Sequence, residues 1–473
     1  MTHMHFVGIG GAGMSGLAHI ALARGHRVTG SDACESAATR RLRERGAQIA
    51  IGQSAPNVLN DLPDLVVVSA AIGCGDEEVA AARAAGVPIV SRAAHLGTLM
   101  AEHRGPRIGV TGTHGKTTTT AMLAEILRAG ALDPTVLIGG DYAPIGGNVM
   151  LGGGGSFLTE ACEAYESFLE LAPDIGVVTN VDADHLDHYG TSERVDAAYA
   201  AFARRVRPGG VLVWCADDPG CRRLVAAASE VGGPRRVSFG VAEDADLRGV
   251  DVAIGGRGSR FAVERGGERL GSAMVAVPGA HNVLNALGAA TAALEAGVAW
   301  PCVVEGLSRF GGVGRRFEQL GEAGGVTVVD DYAHHPAEIR ATISAARTVF
   351  PGRRLVVVFQ PHLYSRTRDF LDGFAEELSS ADAVLVTGVY AARERPIEGL
   401  RVSDIVRGVG ERSPSKTAIF LPDKHDAVGA LAWVTRPGDV VLVMGAGDIR
   451  EVGEEFVCAG RASGEGCGDA PGD

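Results

Sequence analysis

Residues Val110–Thr120 read V-T-G-T-H-G-K-T-T-T-T, a run suited to holding a polyphosphate. Gly112 and Gly115 let the backbone turn its N–H groups inward. Lys116 can neutralise phosphate oxygens, and the Thr117 hydroxyl can reach Mg²⁺. The general phosphate-loop pattern G-x-x-x-x-G-K-[ST] would place glycine at position 110. Val110 stands there, so only the second half of the pattern is met.

Other chemistry-bearing residues gather at four further places. Glu160 and Glu163 follow an apolar run, where a carboxylate can reach Mg²⁺ beside a phosphate loop. The plainer alternative is a solvated acidic loop. Cys162 lies between them with no base nearby in sequence and is read as inert. Asp182, Asp184, His185, Asp187 and His188 crowd a second strand end, a density that favours metal or phosphate handling over packing. His281 and Asn282 open a helix that continues past Asn285; they either cap it or contact a base. Arg315 and Arg316 precede Asp330, Asp331, Tyr332, His334 and His335. Paired arginines at a hinge can reach a transferring phosphoryl group, or form only a basic surface turn.

At the N-terminus, Gly8-x-Gly10-x-x-Gly13 follows a short apolar run, and Asp32 closes the next one. This fits the dinucleotide fingerprint. NAD(P), another nucleotide diphosphate and a purely structural turn all satisfy it. The triphosphate loop further along shifts the balance to a nucleotide diphosphate, because one chain with both sites suits ligation of a nucleotide-linked substrate.

These loops must be carried by alternating strands and helices. Strands are expected at Met4–Ile9, His26–Gly30, Leu65–Ser69 and Pro88–Ser91, then at Arg107–Thr111, Ile175–Thr179, Val211–Trp214 and Arg236–Phe239. Residues 248–277 alternate polar and apolar around glycines, which predicts a small antiparallel excursion. A third set follows at Val326–Asp330, Arg354–Phe359, Ala383–Thr387 and Asp439–Met444. The expected fold is α/β with three domains: Rossmann-like at 1–104, a central P-loop-type ATPase with a mostly parallel sheet at 105–314, and Rossmann-like again at 315–458. The polar stretch 459–473 is expected to be a disordered tail.

The length of 473 residues agrees with about three domains. A net charge of −13 argues against nucleic acid as a partner but not against a nucleotide held by local loops. The 8 cysteines show no C-x-x-C spacing and read as reduced packing residues of a cytoplasmic protein. The start, Met1–Gly8, has neither a basic nor a long apolar stretch, so no secretory signal is expected. No apolar run approaches the roughly 18 residues needed to insert in a membrane.

Taken in order, these segments resemble the Mur ligase superfamily of ATP-dependent amide-forming enzymes, from Gly8 to about Ile449. The most specific pieces are Gly8–Gly16, Thr111–Thr117, Asp184-His185, His281-Asn-x-x-Asn285, Arg315-Arg-Phe317 and Asp331-Tyr-x-His-His-Pro336; Phe359–His362, Tyr390–Glu394 and Met444–Asp448 add to them. The resemblance implies joining of L-alanine to the carboxylate of UDP-N-acetylmuramate through an acyl phosphate. ATP and Mg²⁺, as two ions, would be required, and the protein would act as a monomer or homodimer. Gly10, Gly11, Gly13, Met14 and Ser15 would hold the UDP diphosphate, with Ser31, Asp32 and Ser69 near the nucleotide. Gly112, Thr113, His114, Gly115, Lys116, Thr117 and Thr118 would hold ATP phosphates. Thr117, Glu160 and His185 would serve the metal, and His281, Asn282 and Asn285 the adenine side. Arg316 would contact the γ-phosphate and Asp331 the ribose; Tyr332, His334 and Arg366 would meet the amino acid. Lys116, Glu160, His185 and Arg316 would be the catalytic set. The chain departs from the family at Leu363, often arginine, and at Cys162, often aspartate. Later-acting members carry a modified lysine after the Asp-His pair; Leu186–Arg207 contains none, in keeping with L-alanine addition. A ligase that attaches a recycled peptide, an NAD-dependent dehydrogenase with an accessory ATPase, and a non-catalytic nucleotide-binding regulator are the competing readings.

Overall fold

Three sheets form in succession along the chain. The computed structural model describes residues 1–73, 75–227, 233–256, 258–392 and 394–464; nothing is described of the side chains of Asp187 and of 461–464. In the first unit, β1 (His3–Val7), β2 (Arg27–Asp32), β3 (Gln48–Ile51), β4 (Leu65–Val68) and β5 (Ile89–Ser91) are parallel and lie in the order β3-β2-β1-β4-β5. This order reverses between β1 and β4, a switch point where open α/β sheets bind ligands at the strand ends. The glycine run Gly8–Gly13 leaves β1 at that point and leads into the helix Ala12–Ala23.

The central unit contains β6 (Arg107–Thr111), β7 (Pro134–Tyr142), β8 (Gly147–Met150), β9 (Ser156–Glu160), β10 (Ile175–Val178), β11 (Val211–Cys215), β12 (Arg235–Gly240), β13 (Leu247–Gly255), β14 (Gly258–Arg265) and β15 (Glu268–Val275). They form one sheet in the order β15-β14-β13-β12-β11-β10-β6-β9-β7-β8. β6, β9, β10 and β11 are parallel and largely buried on both faces, as a sheet covered by helices requires. β13–β15 are the antiparallel excursion expected for 248–277.

The third unit holds β16 (Glu318–Ala323), β17 (Val326–Asp331), β18 (Leu355–Phe359), β19 (Ala383–Thr387), β20 (Thr417–Leu421) and β21 (Val440–Met444), in the order β16-β17-β21-β18-β19-β20. Only β16 runs antiparallel. The helix Arg450–Gly464 closes its outer face, with Gly453 against Leu320 and Gly460 against Ala323. These glycines allow the close approach, and buried Phe456 and Val457 anchor the turn between them. The helix therefore continues beyond Ala459, where a disordered tail was expected to begin; residues 465–473 lie outside the described residues.

One apolar cluster runs from Phe6 and Leu17 of the first unit through Ile108 and Val110 to Phe310, so the first and central units share a core. The third unit has separate clusters on the two faces of its sheet. Among the described residues no helix is long and apolar enough to cross a membrane. Six cysteines are described and all are free thiols; Cys74 and Cys467 lie outside the described residues.

Candidate active site

The phosphate loop leaves β6 and enters the helix Lys116–Ala129. Gly112 has φ +138°, and a Cβ there would collide with Thr179 Oγ1. Gly115 has φ +81°, and a Cβ there would strike Asn285 Oδ1. Both turns therefore need glycine. The end of β10 straps the loop down. Thr179 Oγ1 donates to the His114 carbonyl (2.6 Å), Asn180 Oδ1 accepts the His114 N–H (2.8 Å), and the Asp182 N–H donates to Thr113 Oγ1 (2.9 Å). The first N–H groups of the helix have no intrahelical acceptor, so the loop presents donors and positive potential to one point.

Lys116 Nζ donates to the carbonyls of Gly112 (2.6 Å) and Thr113 (3.1 Å) and to Glu163 Oε1 (2.8 Å). Burial works against its charge, but Glu163, Cys162 and Glu160 outweigh it and hold the ammonium above its ordinary pKa. Thr117 Oγ1 donates to Glu160 Oε2 (3.3 Å). Burial pushes the Glu160 carboxyl up, against the Gly139 N–H that donates to it at 2.5 Å. His185 adopts φ +53°, and its Nε2 lies 3.6 Å from Glu163 Oε1. Glu163 Oε2 is buried without a hydrogen-bond partner. This set of carboxylate, hydroxyl and imidazole donors fits a hard divalent cation such as Mg²⁺.

These groups line a cavity of about 1230 Å³ that also touches Gly13 of the first unit and Arg316, Tyr332 and His334 of the third. A second cavity of about 330 Å³ opens beside the same loop and is lined by Thr118, His281, Asn282, Asn285 and Asp331. His114, Gly115 and Arg316 face both. The smaller space is of a size for a nucleoside, next to a loop built for its phosphates. Asp331 is tied down inside it, accepting the N–H groups of Phe317 (2.7 Å) and Ala333 (2.9 Å) and the Thr342 hydroxyl (3.1 Å).

The third unit reaches the loop through Glu338, whose Oε1 lies 3.2 Å from His114 Nδ1 and whose Oε2 accepts the N–H groups of His334 (3.0 Å) and His335 (3.2 Å). Burial opposes the His114 charge, but the carboxylates of Asp182, 3.8 Å from Nε2, and of Glu338 raise it to about 9. The nearby His114 imidazolium pulls the Asp182 carboxyl down to about 2. Burial lowers His334 to about 4, so this ring is neutral near pH 7. The guanidiniums of Arg315 and Arg316 both lie over the Tyr332 ring, at 4.8 and 5.0 Å.

Several expected residues are placed differently. Arg366 does not line either cavity. Its Nη2 and Nε donate to Asp184 Oδ1 at 2.7 and 3.2 Å, with the two side chains 5% and 7% exposed. Burial would raise the Asp184 carboxyl, but Arg366 holds it far below the usual range. In the first unit, the Gly10 N–H donates to Asp32 (2.7 Å), Gly11 caps the helix Ala12–Ala23, and Ser69 sits at the end of β4 against Gly8. The Ser31 side chain is fully buried and donates to Glu78 (2.5 Å), because this position of β2 faces the helix Glu77–Ala84. Met14 is in the core, and Ser15 bonds the Ala12 carbonyl (3.1 Å), so both offer a ligand backbone rather than side chain. Glu338 and Asn180 were not singled out in the sequence. Glu338 stands three residues after His335, a capping-box spacing, which was the one local signal available.

Three family models match the chain in order: "Mur ligase family, catalytic domain" over residues 3–104, "Mur ligase middle domain" over 110–293, and "Mur ligase, glutamate ligase domain" over 315–447. A UDP-N-acetylmuramate–L-alanine ligase of Sorangium cellulosum is 47% identical over 95% of this chain and 94% of its own. A solved UDP-N-acetylmuramate–alanine ligase from Thermotoga maritima is 32% identical with a TM-score of 0.82, covering 98% of this chain and 100% of that one. A murein peptide ligase from Psychrobacter arcticus is 26% identical with a TM-score of 0.72, over 97% and 98%.

Proposed function

The chain belongs to the Mur ligase family, and on that premise we propose that it joins L-alanine to the carboxylate of UDP-N-acetylmuramate at the expense of ATP. It is an acid–amino-acid ligase of peptidoglycan precursor synthesis. The single observation that carries the reading at this site is the continuous cavity from Gly13, through Lys116 and Glu160, to Tyr332 and His334. One compartment thus meets all three units, as a reaction of three substrates requires.

The muramoyl carboxylate attacks the γ-phosphorus of ATP. The P–O bond to ADP breaks and an acyl phosphate forms. Lys116 and the N–H groups of the phosphate loop face the charge that spreads over the transferring group, and Arg316 approaches it from the third unit. Thr117, Glu160, Glu163 and His185 would hold Mg²⁺, which when bound draws charge from the phosphoryl oxygens. The neutral amine of L-alanine then attacks the acyl carbon. The C–O bond to phosphate breaks, and phosphate departs with an oxygen that began in the carboxylate. Tyr332 and His334 would meet the amino acid, whose ammonium sheds its proton to solvent before the attack. Packing of the third unit over the loop excludes water from the acyl phosphate. His281, Asn282 and Asn285 would hold the adenine, with Asp331 at the ribose. Boundaries near 104 and 314 separate the substrate, ATP and amino-acid units, and the chain acts in the cytoplasm, where ATP is supplied.

A coupled assay tests this: phosphate should appear only when ATP, UDP-N-acetylmuramate and L-alanine are all present. Phosphate release that is indifferent to L-alanine, or greater with a peptide than with L-alanine, would sink the reading.

A further inference from the structure

Among the described residues, the large cavity has one arginine or lysine without a partner. Lys116, Arg41, Arg315, Arg316 and Arg450 each lie within 4.0 Å of a carboxylate oxygen. Arg92 also lines the cavity and, among the described residues, makes no hydrogen bond or ion pair. It is the first residue of the helix Arg92–Glu102, which Ser91 caps by accepting the Ala94 N–H at 3.1 Å. From there the side chain crosses Gly13: a Cβ built on Gly13 would sit 2.9 Å from Nη1 and 3.4 Å from Cζ of Arg92. The bare glycine is what lets the Arg92 side chain approach the start of the helix Ala12–Ala23 this closely.

An unpaired guanidinium over an exposed helix N-terminus is a two-sided anion grip. The first N–H groups of the helix have no acceptor, and the planar fork of arginine matches two phosphate oxygens at once. Arg92 shares this cavity with Gly13 of the glycine run and with Gly115 and Lys116 of the phosphate loop. We propose that Arg92 clamps the diphosphate of the UDP-linked substrate against the N-terminus of the helix Ala12–Ala23, holding the muramoyl carboxylate toward Lys116. This rests on the substrate reading above and adds a specific binding residue to it. The general glycine fingerprint does not point to Arg92, which lies 79 positions beyond Gly13.

The test is calorimetry on the full chain with UDP, UDP-N-acetylmuramate and, separately, ATP with Mg²⁺. Arg92→Ala should weaken UDP and UDP-N-acetylmuramate alike, by about tenfold or more, as loss of a charged bidentate contact does. ATP affinity should stay within about twofold, which also shows that the chain is folded. Arg92→Lys, which keeps the charge but not the fork, should fall between. Unchanged UDP affinity in Arg92→Ala overturns the proposal. So does a loss confined to UDP-N-acetylmuramate, since Arg92 would then be reading the muramoyl carboxylate. Equal UDP binding by the Lys and Ala variants overturns it as well. A wild-type chain that takes up ATP but neither UDP ligand would instead refute the substrate reading itself.

Discussion

Lys116 Nζ lies 2.8 Å from Glu163 Oε1, with both groups facing the cavity that joins the three units. The lysine is charged and its positive charge is matched by a carboxylate before any phosphate arrives. On the proposed function, a triphosphate taking over that contact would release Glu163 Oε1 beside an Oε2 that already lacks a partner. Loading of ATP and assembly of a cation site would then be one event. Lys116→Ala should lower ligation by about 10²–10³-fold or more, the range for losing one donor to a developing charge. Its affinity for UDP-N-acetylmuramate should stay within about threefold of wild type. Turnover close to wild type in a steady-state assay would contradict the role given to Lys116.

Glu163→Gln removes the charge but keeps the shape. The Mg²⁺ concentration for half-maximal rate should rise, by about tenfold, because one anionic oxygen donor is lost. L-Alanine KM should be unaffected. A magnesium titration of initial rates reads this directly; an unshifted curve would remove Glu163 from the metal set.

His114 ties the phosphate loop to Glu338 of the third unit at 3.2 Å, and it is raised to about 9 against an ordinary 6.5. A raised folded pKa contributes stability that is complete below the unfolded value and is lost as pH climbs through the folded one. The stability difference between wild type and His114→Gln should therefore be constant below about pH 6.5 and shrink between 6.5 and 9. Denaturant unfolding at several pH values measures it. A difference that grows toward pH 9 would show that the imidazolium is not what joins the units.

Asp184 and Arg366 are a buried pair between the central and third units. Removing one partner strands the other charge away from water, at a cost of about 3–5 kcal/mol. Arg366→Ala should destabilise more than the double variant Arg366→Leu with Asp184→Asn, in which neither charge is left alone. Thermal unfolding of both variants distinguishes them. Equal melting would mean that water reaches the pair.

Much of the fold was legible from pattern. The apolar runs at Leu65, Ile175, Leu355, Ala383 and Val440 became strands, because parallel strands buried on both faces must be continuously apolar. β3, β7, β8, β16 and β20 are not among the expected strands; of these, Gln48–Ile51 is short and half-exposed, and Thr417–Leu421 is an edge strand with no fully buried face. The phosphate loop, Glu160, His185 and Arg316 were all visible as local motifs and do meet on one cavity. What one-dimensional reading missed depends on docking between units. Nothing near Arg366 in sequence says that Asp184 will neutralise it, and nothing near Glu338 says that it will sit under His114. Ser31 follows the same logic within one unit, since its hydroxyl is claimed by Glu78, 47 residues away.

The most direct test follows an oxygen atom. UDP-N-acetylmuramate carrying ¹⁸O at both carboxylate oxygens, turned over with ATP and L-alanine, should give inorganic phosphate containing one ¹⁸O per molecule, because one carboxylate oxygen attacks phosphorus and leaves with it. Phosphate free of the label would mean that the triphosphate is not spent on the carboxyl group, and the account would fail at its centre.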